Sequence, residues 1–433
     1  LVLTWLIVNT LLIAAFFFGV PAADAGEPVD DVPPRFIPLD NWLNDNPQFY
    51  PGGVGVAIIQ DGEIIFRKTY HGLDEERITP IASSTKWISG MGIADAIARG
   101  LFSPDDTIST WADAFAAQPD KVNITFAQAF SHTSGLPEQP NYHLDGTTTH
   151  ELAVADIATV PLIGEPGAQI YYGGLGMHAT GFAVATALNT DWTTYMRQTI
   201  FNPLDMVDTD FDAFTPEQFI PTANPGVAGT IRTTFQDYIN FVTMLDRGGR
   251  YQGEQVVHPD AFRVLLNDYA GPDVPIEGSP YQRYASFVPE APFFRTGFGC
   301  FIDPARIDLD VPDGELAVRW AVSGGAFGTN GFLDLDRRIA GVVFTENRDR
   351  WPGPDGTYNP ANRAFIQYVR PLIDQAVPVT CDSDINRDGR VGVLDLLTVL
   401  GTWGTPAGDV NGDALTDVDD LLDLLAAWGP CTP

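Results

Sequence analysis

Lysine is scarce in this chain, which has three lysines in 433 residues, and basic residues as a whole are outnumbered. The 24 lysines and arginines face 56 aspartates and glutamates, which gives a formal net charge of −32 at pH 7. A protein that binds nucleic acid needs a basic surface to neutralise the phosphates. The composition therefore excludes a general nucleic-acid binder, and the acidity is first of all a source of solubility.

The scarcity of lysine makes the position of Lys86 informative. It ends the segment Ile81-Ala82-Ser83-Ser84-Thr85-Lys86, which contains a Ser-x-x-Lys motif. An arginine keeps its proton at neutral pH, whereas a partly desolvated lysine amine can lose it, so a nitrogen base beside a serine has to be lysine. The tetrapeptide also arises by chance. Its surroundings decide whether Ser83 and Lys86 form a catalytic pair.

A helical pattern follows the motif. Apolar residues recur at helical spacing at Trp87, Met91, Ala94, Ile97 and Ala98. Gly100 is a C-terminal stop signal for such a helix. Ser83 is thus expected at the helix N-terminus, where the helix dipole favours developing negative charge. Lys86 falls one turn later on the same face, so its amine can meet the serine hydroxyl.

The first 25 residues indicate export. Leu1 to Val20 is almost wholly apolar, and Ala23-Asp24-Ala25 offers the small residues that a signal peptidase reads. We expect a signal peptide over residues 1–25 and a secreted or cell-surface protein. The chain begins at Leu1 and no basic residue precedes the apolar run, so an uncleaved anchor remains the alternative.

The rest of the chain divides in two. The full chain has 45% hydrophobic and 11% aromatic residues, the composition of an ordinary globular protein. We expect a catalytic domain over residues 33–378 and a boundary near Val377-Pro378-Val379-Thr380. Early in this domain, Val54 to Ile59 and Glu63 to Phe66 flank Asp61-Gly62, which predicts a β-hairpin.

A repeat with a period of 25 residues fills the tail, residues 381–433. In each copy oxygen-bearing side chains stand at positions 1, 3, 5 and 12 of a calcium loop, and a backbone carbonyl serves position 7. The first loop comprises Asp384, Asn386, Asp388, Arg390 and Asp395, and the second comprises Asp409, Asn411, Asp413, Leu415, Asp417 and Asp420. The pattern predicts two calcium sites.

This tail resembles a type I dockerin, a pair of loop-helix calcium repeats. The resemblance implies a small all-α module with two structural Ca²⁺ ions, and a cohesin-like or cell-surface partner. An acidic, turn-rich tail without bound metal is the alternative.

Cys381 and Cys431 flank the two repeats, and an exported chain permits oxidation, so we expect them to form a disulfide. Cys300 then remains as a buried, inert thiol, unless it pairs with one of the other two.

Further motifs follow in order along the larger domain. They are Ser131-His132-Thr133-Ser134-Gly135-Leu136-Pro137, then Pro166-Gly167 with Tyr172 shortly after, and finally Ser323-Gly324-Gly325-Ala326. Together with Ser83-x-x-Lys86 they resemble the serine β-lactamase and penicillin-recognising family, in its branch of class C enzymes, esterases and D-amino-acid peptidases. The resemblance implies an α+β fold, with an antiparallel sheet flanked by helices and an all-helical subdomain.

The same resemblance assigns roles. Ser83 would attack an acyl carbon, Lys86 would accept its proton, and Tyr172 would relay protons. The backbone N–H groups of Ser83 and Ala326 would form the oxyanion hole. Tyr171 is the fallback if the register slips by one residue, and His132 is expected to shape a turn rather than act as a base.

Two departures from the family pattern concern the substrate. Gly174 replaces the asparagine of Tyr-x-Asn, and Ser323-Gly324-Gly325 replaces Lys-Thr-Gly, which removes an amide and a cation. Such a site favours neutral esters or amides over substrates with a carboxylate. The alternatives are a D-amino-acid peptidase or carboxypeptidase, a weak β-lactamase, or a non-catalytic binding or scaffold protein.

Overall fold

The computed structural model describes residues 32–138, 142, 144–213, 220–271, 273–277, 295–302, 320–348, 359–379, 381–386, 390–411, 413 and 415–431. The expected signal peptide, residues 1–25, and the expected calcium ligand Asp388 lie outside these described residues. Within them, no helix combines the length and the apolar character needed to cross a membrane.

Seven antiparallel strands form the main sheet of the described chain, in the order β10-β11-β12-β13-β14-β1-β2. Their bounds are β1 Val54–Gln60, β2 Glu63–Tyr70, β10 Arg295–Thr296, β11 Phe301–Ile302, β12 Trp320–Gly324, β13 Asn330–Asp334 and β14 Ile339–Thr345. The shorter strands are β3 Thr79–Pro80, β4 Ile170–Tyr171, β5 Asp210–Phe211, β6 Ile231–Thr233, β7 Arg250–Tyr251, β8 Glu254–Gln255, β9 Ile276–Glu277, β15 Arg390–Val391 and β16 Gly429–Pro430.

The predicted hairpin is confirmed as β1 and β2, which pair antiparallel around Asp61-Gly62. Both turn residues have positive φ, 52° at Asp61 and 83° at Gly62. A two-residue turn of this kind matches the right-handed twist of the flanking strands, which explains the Asp-Gly pair.

The sheet is buried on both faces. Every residue of β1 and of β14 is buried. Alternate residues enter different hydrophobic clusters, because successive side chains of a strand point to opposite faces. Ala57 and Ile59 pack into the larger cluster on the helical side, whereas Val56 and Ile58 pack against the first and last helices of the domain. The sheet is therefore the middle layer of an α+β fold.

Helices supply the outer layers. Those with α geometry are Ile37–Asp45, Thr85–Ala98, Asp113–Ala116, Phe126–Phe130, His150–Thr159, Leu175–Ala187, Trp192–Met196, Phe235–Asp246, Ala261–Leu266, Pro360–Ala364, Arg370–Ala376, Val393–Gly401 and Val418–Ala426. Two stretches of π-helix, Arg197–Phe201 and Phe365–Val369, continue the helices that precede them. Between β2 and β10 the described chain is mostly helical.

The helix Thr85–Ala98 lies at the centre of the larger cluster. All its residues from Thr85 to Ile97 are buried. More of this helix is buried than its amphipathic spacing predicts, because small residues on its other faces also allow close packing. The helix ends as predicted: Gly100 has φ 74°, and the N–H of Leu101 donates to Ala96 O over 3.0 Å.

The tail carries two helices, and both keep the period of the repeat. Val393–Gly401 and Val418–Ala426 have 9 residues each, and 418 − 393 = 25 residues separate their starts. Their shared core is small and consists of Val391, Val399 and Leu424. The expectation of a purely helical module is too narrow, because β15 pairs with β16 next to the disulfide.

Candidate active site

Ser83 sits in a strained turn before the central helix. A 3₁₀ turn, Ala82–Ser84, leads directly into Thr85–Ala98. Ala82 has φ 47°, in the left-handed region that a residue with a Cβ rarely adopts. Strain of this kind concentrates at functional sites, where the surrounding packing maintains it. The turn presents Ser83 partly exposed, whereas its neighbour Ser84 is fully buried.

Ser84 anchors the turn to the protein interior. Its hydroxyl donates to the carbonyl of Ser323 over 2.9 Å and lies 2.7 Å from the hydroxyl of Tyr238. These contacts join the turn to the end of β12. The two adjacent serines thus have different surroundings, and only Ser83 is placed to meet a substrate.

Lys86 reaches Ser83 from one helical turn away. Its Nζ lies 3.0 Å from Ser83 Oγ and donates to the carbonyl of Ala228 over 2.7 Å. The side chain is only 4% exposed. Burial lowers the pKa of Lys86 from its ordinary value of 10.5 to about 7, and the carboxylate of Glu138 opposes part of that fall. A lysine in this state can exchange a proton near neutral pH.

Tyr172 completes the cluster. Lys86 Nζ lies 4.9 Å from the centre of its ring. A hydrogen bond to Ser83 lowers the pKa of the Tyr172 phenol, but burial raises it by more, so the phenol stays protonated at neutral pH. The neighbouring Tyr171 instead donates its hydroxyl to Gln169. The structure therefore brings Tyr172, rather than the fallback Tyr171, to the serine and lysine.

His132 supports Tyr172 from behind. The two rings lie 4.6 Å apart, and the N–H of Gly173 donates to His132 Nδ1 over 3.3 Å. Burial, and secondarily the charge of Lys86, lower the pKa of His132 to about 3. The ring is therefore neutral at physiological pH. Its contacts hold the Tyr172 loop, in keeping with the structural role expected from the sequence.

The end of β12 forms the opposite wall of the site. Ser323 is buried and lies on the same face of the sheet as Ala321, towards the central helix. A Cβ on Gly325 would stand 2.1 Å from the carbonyl oxygen of Ile81. Only glycine permits this approach, which presses the strand end against the turn of Ser83. Ala326 follows immediately.

Two positions lack the side chains that the family pattern supplies. Gly174 is buried and begins the helix Leu175–Ala187. Ser323 carries a neutral hydroxyl where the pattern has a lysine. The positive charge described at this site is that of Lys86, which contributes to the lowered pKa of His132.

Sequence reasoning missed one charged residue at this site. Glu138 follows Pro137 directly and is exposed. A Cβ on Gly173, next to Tyr172, would lie 3.5 Å from Glu138 Cα. Burial lowers the pKa of Lys86, and the Glu138 carboxylate opposes part of that fall. Burial raises the pKa of Tyr172, and the same carboxylate adds to that rise. The only sequence signal was its position after the Ser131–Pro137 motif.

Cys300 lies apart from this chemistry. It is free and 3% exposed, and its Sγ faces the carbonyl of Leu265 at 3.6 Å. Burial raises the pKa of this thiol, so it remains protonated. The interpretation as an inert buried thiol fits this environment.

The two loops of the tail carry side chains whose oxygen atoms can bind a metal ion. Asp395 and Asp420, at the last position of each loop, are fully buried. Asp395 accepts the N–H groups of Asn386 and Gly392, and Asp420 accepts those of Val410, Asn411 and Asp417. The N–H groups of Asp417, Val410 and Asn411 lower the pKa of Asp420 against the effect of burial. The Asp420 carboxylate therefore closes its loop in the ionised form.

Oxygen-only donors suit calcium. Asp409 and Asn411 accept the N–H of Asp413 over 3.2 and 3.0 Å, so the second loop folds around its own side chains. No group of three or more histidine, cysteine, aspartate or glutamate side chains with metal-binding geometry occurs among the described residues, which omit Asp388. The donor chemistry fits the ion, and Cys381 and Cys431 close the module with a disulfide.

A serine next to a strained residue, a buried lysine and a tyrosine thus meet beside the end of β12. The beta-lactamase family profile matches residues 50–365. The chain belongs to this family of β-lactamase-like and penicillin-binding-protein-like serine hydrolases, which has esterase and D-alanyl-D-alanine carboxypeptidase homologues.

Individual relatives are distant. An Escherichia coli protein named "Putative D-alanyl-D-alanine carboxypeptidase" is 23% identical over 223 residues, which cover 43% of this chain and 50% of that protein. The chain thus spans about half the length of that relative. Lovastatin esterase of Penicillium rubens is 24% identical over 322 residues, 60% of this chain and 77% of the esterase.

The fold has counterparts among solved structures. A Bacteroides dorei protein described as a "putative beta-lactamase" superposes with a TM-score of 0.66 at 22% identity, over 79% of this chain and 98% of that one. This likeness shows the fold of the larger domain.

Proposed function

We propose that the protein is a secreted serine hydrolase that forms an acyl-enzyme on Ser83 and acts on neutral esters or amides. The observation that carries the proposal is the 3.0 Å contact of Lys86 Nζ with Ser83 Oγ, made by an amine whose pKa is about 7. At neutral pH a large share of this lysine is unprotonated and can serve as a base.

Acylation begins when Ser83 Oγ attacks the carbonyl carbon and its proton passes to Lys86 Nζ. The bond from that carbon to the leaving group then breaks, and the leaving oxygen or nitrogen takes a proton through the Tyr172 hydroxyl. Water attacks the acyl-enzyme by the same proton path in reverse, and this releases the acid and restores Ser83. The N–H groups of Ser83 and Ala326 stabilise the oxyanion at both stages.

Charge at the site supports a neutral substrate. Gly174 and Ser323 offer neither the amide nor the cation that would hold an acylamino group or a carboxylate. Glu138 adds a negative charge close enough to act on Lys86 and Tyr172. A substrate carboxylate entering here would meet repulsion without a compensating cation.

Release of nitrophenol from a short-chain nitrophenyl ester tests the proposal. Purified protein is expected to hydrolyse the ester, and Ser83→Ala is expected to abolish the reaction. The matched control is Ser89→Ala, which changes a buried serine of the helix Thr85–Ala98 and leaves Ser83 and its turn in place. Activity that survives Ser83→Ala would show that Ser83 is not the nucleophile.

A peptidase acting on D-amino-acid peptides is the second candidate. The name of the Escherichia coli relative favours it. A panel of D-amino-acid amides, D-alanyl-D-alanine peptides and a chromogenic cephalosporin separates the two. The esterase proposal predicts that turnover of the carboxylate-bearing compounds is at least about 100-fold below that of the ester.

For the tail we propose two structural calcium ions. Asp384, Asn386, Asp388, Arg390 and Asp395 would hold the first, and Asp409, Asn411, Asp413, Leu415, Asp417 and Asp420 the second. Bound calcium would neutralise carboxylates and close each loop. Calorimetric titration of chelator-treated protein with Ca²⁺ is expected to give two binding events, and absence of heat would reject both sites.

A partner for the tail is also proposed. Both tail helices expose apolar residues at equivalent positions of the repeat: Leu397 and Leu422 are each 57% exposed. We propose a cohesin-like or cell-surface partner on this face. Binding of the full chain to a purified type I cohesin, and its loss in Leu397→Asp with Leu422→Asp, tests the idea.

The apolar run Leu1 to Val20 and the disulfide support location outside the cytoplasm.

A further inference from the structure

Four consecutive carbonyls after β12 point into the protein, and each meets an asparagine. The acceptor and donor pairs are Gly325 O with Asn362 Nδ2 at 2.8 Å, Ala326 O with Asn359 Nδ2 at 3.0 Å, Phe327 O with Asn347 N at 2.8 Å and Gly328 O with Asn330 Nδ2 at 2.8 Å. Three of the four donors are side chains. The backbone of this segment is therefore oriented by groups from other parts of the chain.

The first of these contacts controls a peptide of the site. The carbonyl of Gly325 and the N–H of Ala326 belong to one planar trans peptide, so they point in opposite directions. Because Asn362 fixes the carbonyl on the inner side, the N–H of Ala326 is turned away from Asn362. Gly325 itself packs against Ile81, two residues before Ser83. The N–H would then face the turn that carries Ser83.

The orientation of Asn362 is itself fixed. Its Oδ1 accepts a hydrogen bond of 2.6 Å from Asn330 Nδ2, which leaves its own Nδ2 for the carbonyl of Gly325. Asn362 and Asn330 are each 1% exposed, so water does not compete for these groups. Buried, fully paired amides of this kind hold a single geometry.

We propose that Asn362 is a positioning residue that aims the Ala326 N–H at the oxyanion, an inference that rests on the proposed function. Loss of its amide need not unfold the turn, because the N–H of Gly328 also donates to Gly325 O over 3.0 Å. The peptide then keeps one partner but loses the second that sets its tilt. A donor tilted away from the oxyanion stabilises the transition state less.

Asn240 provides a matched control. Its Nδ2 donates to Leu204 O over 3.0 Å, its Oδ1 accepts from Gln236 Nε2 over 2.8 Å, and it is 7% exposed. Asn362→Leu is expected to lower kcat for ester hydrolysis about 10- to 100-fold with KM within about threefold, since the lost interaction acts in the transition state. Asn240→Leu is expected to leave kcat within about twofold. Equal kcat in the two variants would overturn the inference.

A spectroscopic readout separates this inference from the proposed function. The sequence has two Gly-Ala pairs, Gly167-Ala168 and Gly325-Ala326, so labelling with ¹³C-carbonyl glycine and ¹⁵N-alanine gives two amide signals. Phenylboronic acid, which forms a tetrahedral adduct with an active serine, is expected to shift the Ala326 signal and not that of Ala168. In Asn362→Leu the shift is expected to shrink.

The outcomes differ for the two claims. An unchanged Ala326 shift and unchanged kcat in Asn362→Leu would overturn the positioning role while ester hydrolysis by the wild type stands. Absence of both an adduct and ester hydrolysis in the wild type would overturn the proposed function, and with it the positioning role.

Discussion

The catalytic domain and the tail are stabilised in different ways. The larger domain has two extensive hydrophobic clusters on either side of its sheet, whereas in the described part of the tail the buried hydrophobic core is Val391, Val399 and Leu424. A core of three residues does not offset the entropy of ordering about 50 residues, so such modules depend on disulfides or metals. Burial stabilises the first region and also shifts the pKa of Lys86, whereas a disulfide joins the ends of the second. Changes to one region should therefore leave the other intact.

The largest effect is expected from Lys86→Met. We expect ester hydrolysis to fall at least about 10³-fold, because the base beside Ser83 is lost. Lys68→Met is the control: Lys68 forms an ion pair with Asp40, and its loss is expected to leave the rate unchanged. A loss of similar size in both variants would contradict the assigned base.

The same variant tests burial as the cause of the lysine's altered pKa. Since the pKa of Lys86 falls from 10.5 to about 7 on folding, the folded state binds fewer protons than the unfolded state between these pH values. The unfavourable contribution of Lys86 is full below pH 7 and fades as pH rises towards 10.5. Lys86→Met is therefore expected to melt at or above the wild-type temperature at pH 7, most clearly at lower pH.

Chelation should affect the tail alone. We expect a calcium chelator to lower the melting temperature of the tail by about 10 °C or more, because ions that bind only the folded loops stabilise them by mass action. Near-ultraviolet circular dichroism follows Trp403 and Trp428, both about half exposed. Ester hydrolysis is expected to continue unchanged. A melting profile indifferent to the chelator would count against both calcium sites.

Removal of the disulfide should act on the same region. Cys381 and Cys431 are 50 residues apart, and closing a loop of this length stabilises a fold by about 4 kcal/mol in the chain-entropy description. Cys381→Ser with Cys431→Ser is expected to make the tail sensitive to proteolysis and to leave the catalytic domain resistant. Cleavage within the catalytic domain as well would show that the two regions are coupled.

The smallest effect concerns Glu138→Gln. Removing this exposed charge is expected to raise kcat/KM for an ester with a carboxylate about two- to fivefold relative to a neutral ester. It should also shift the pH midpoint of kcat/KM downwards, because Glu138 raises the pKa of Lys86. Parallel changes for both esters would rule out a role in charge selection.

Local parts of the site followed from the sequence. Ser83 and Lys86 lie three residues apart, one helical turn from each other, so helix geometry alone predicts their contact. The Asp61-Gly62 hairpin was predictable from its turn residues, and the spacing of the tail helices from the 25-residue repeat. Tyr172 required the family resemblance, because it approaches from 86 residues further along the chain.

Other parts depend on tertiary contacts that no local pattern encodes. Asn362 is one asparagine on the helix Pro360–Ala364, and its proposed role follows from the approach of the end of β12 to that helix. The backbone of Glu138 lies next to Gly173, and this brings its charge close to Lys86 and Tyr172. The β15–β16 pair was missed because two-residue strands leave no periodicity in the sequence.

The rate at which a fluorophosphonate labels the protein, measured against pH and located by peptide mass spectrometry, tests the central claim most directly. We predict a single label on Ser83, formed at a rate that rises with pH through a midpoint near 7, where Lys86 loses its proton. A label on another residue, or a rate on Ser83 that does not change between about pH 5 and 9, would contradict the Ser83–Lys86 mechanism.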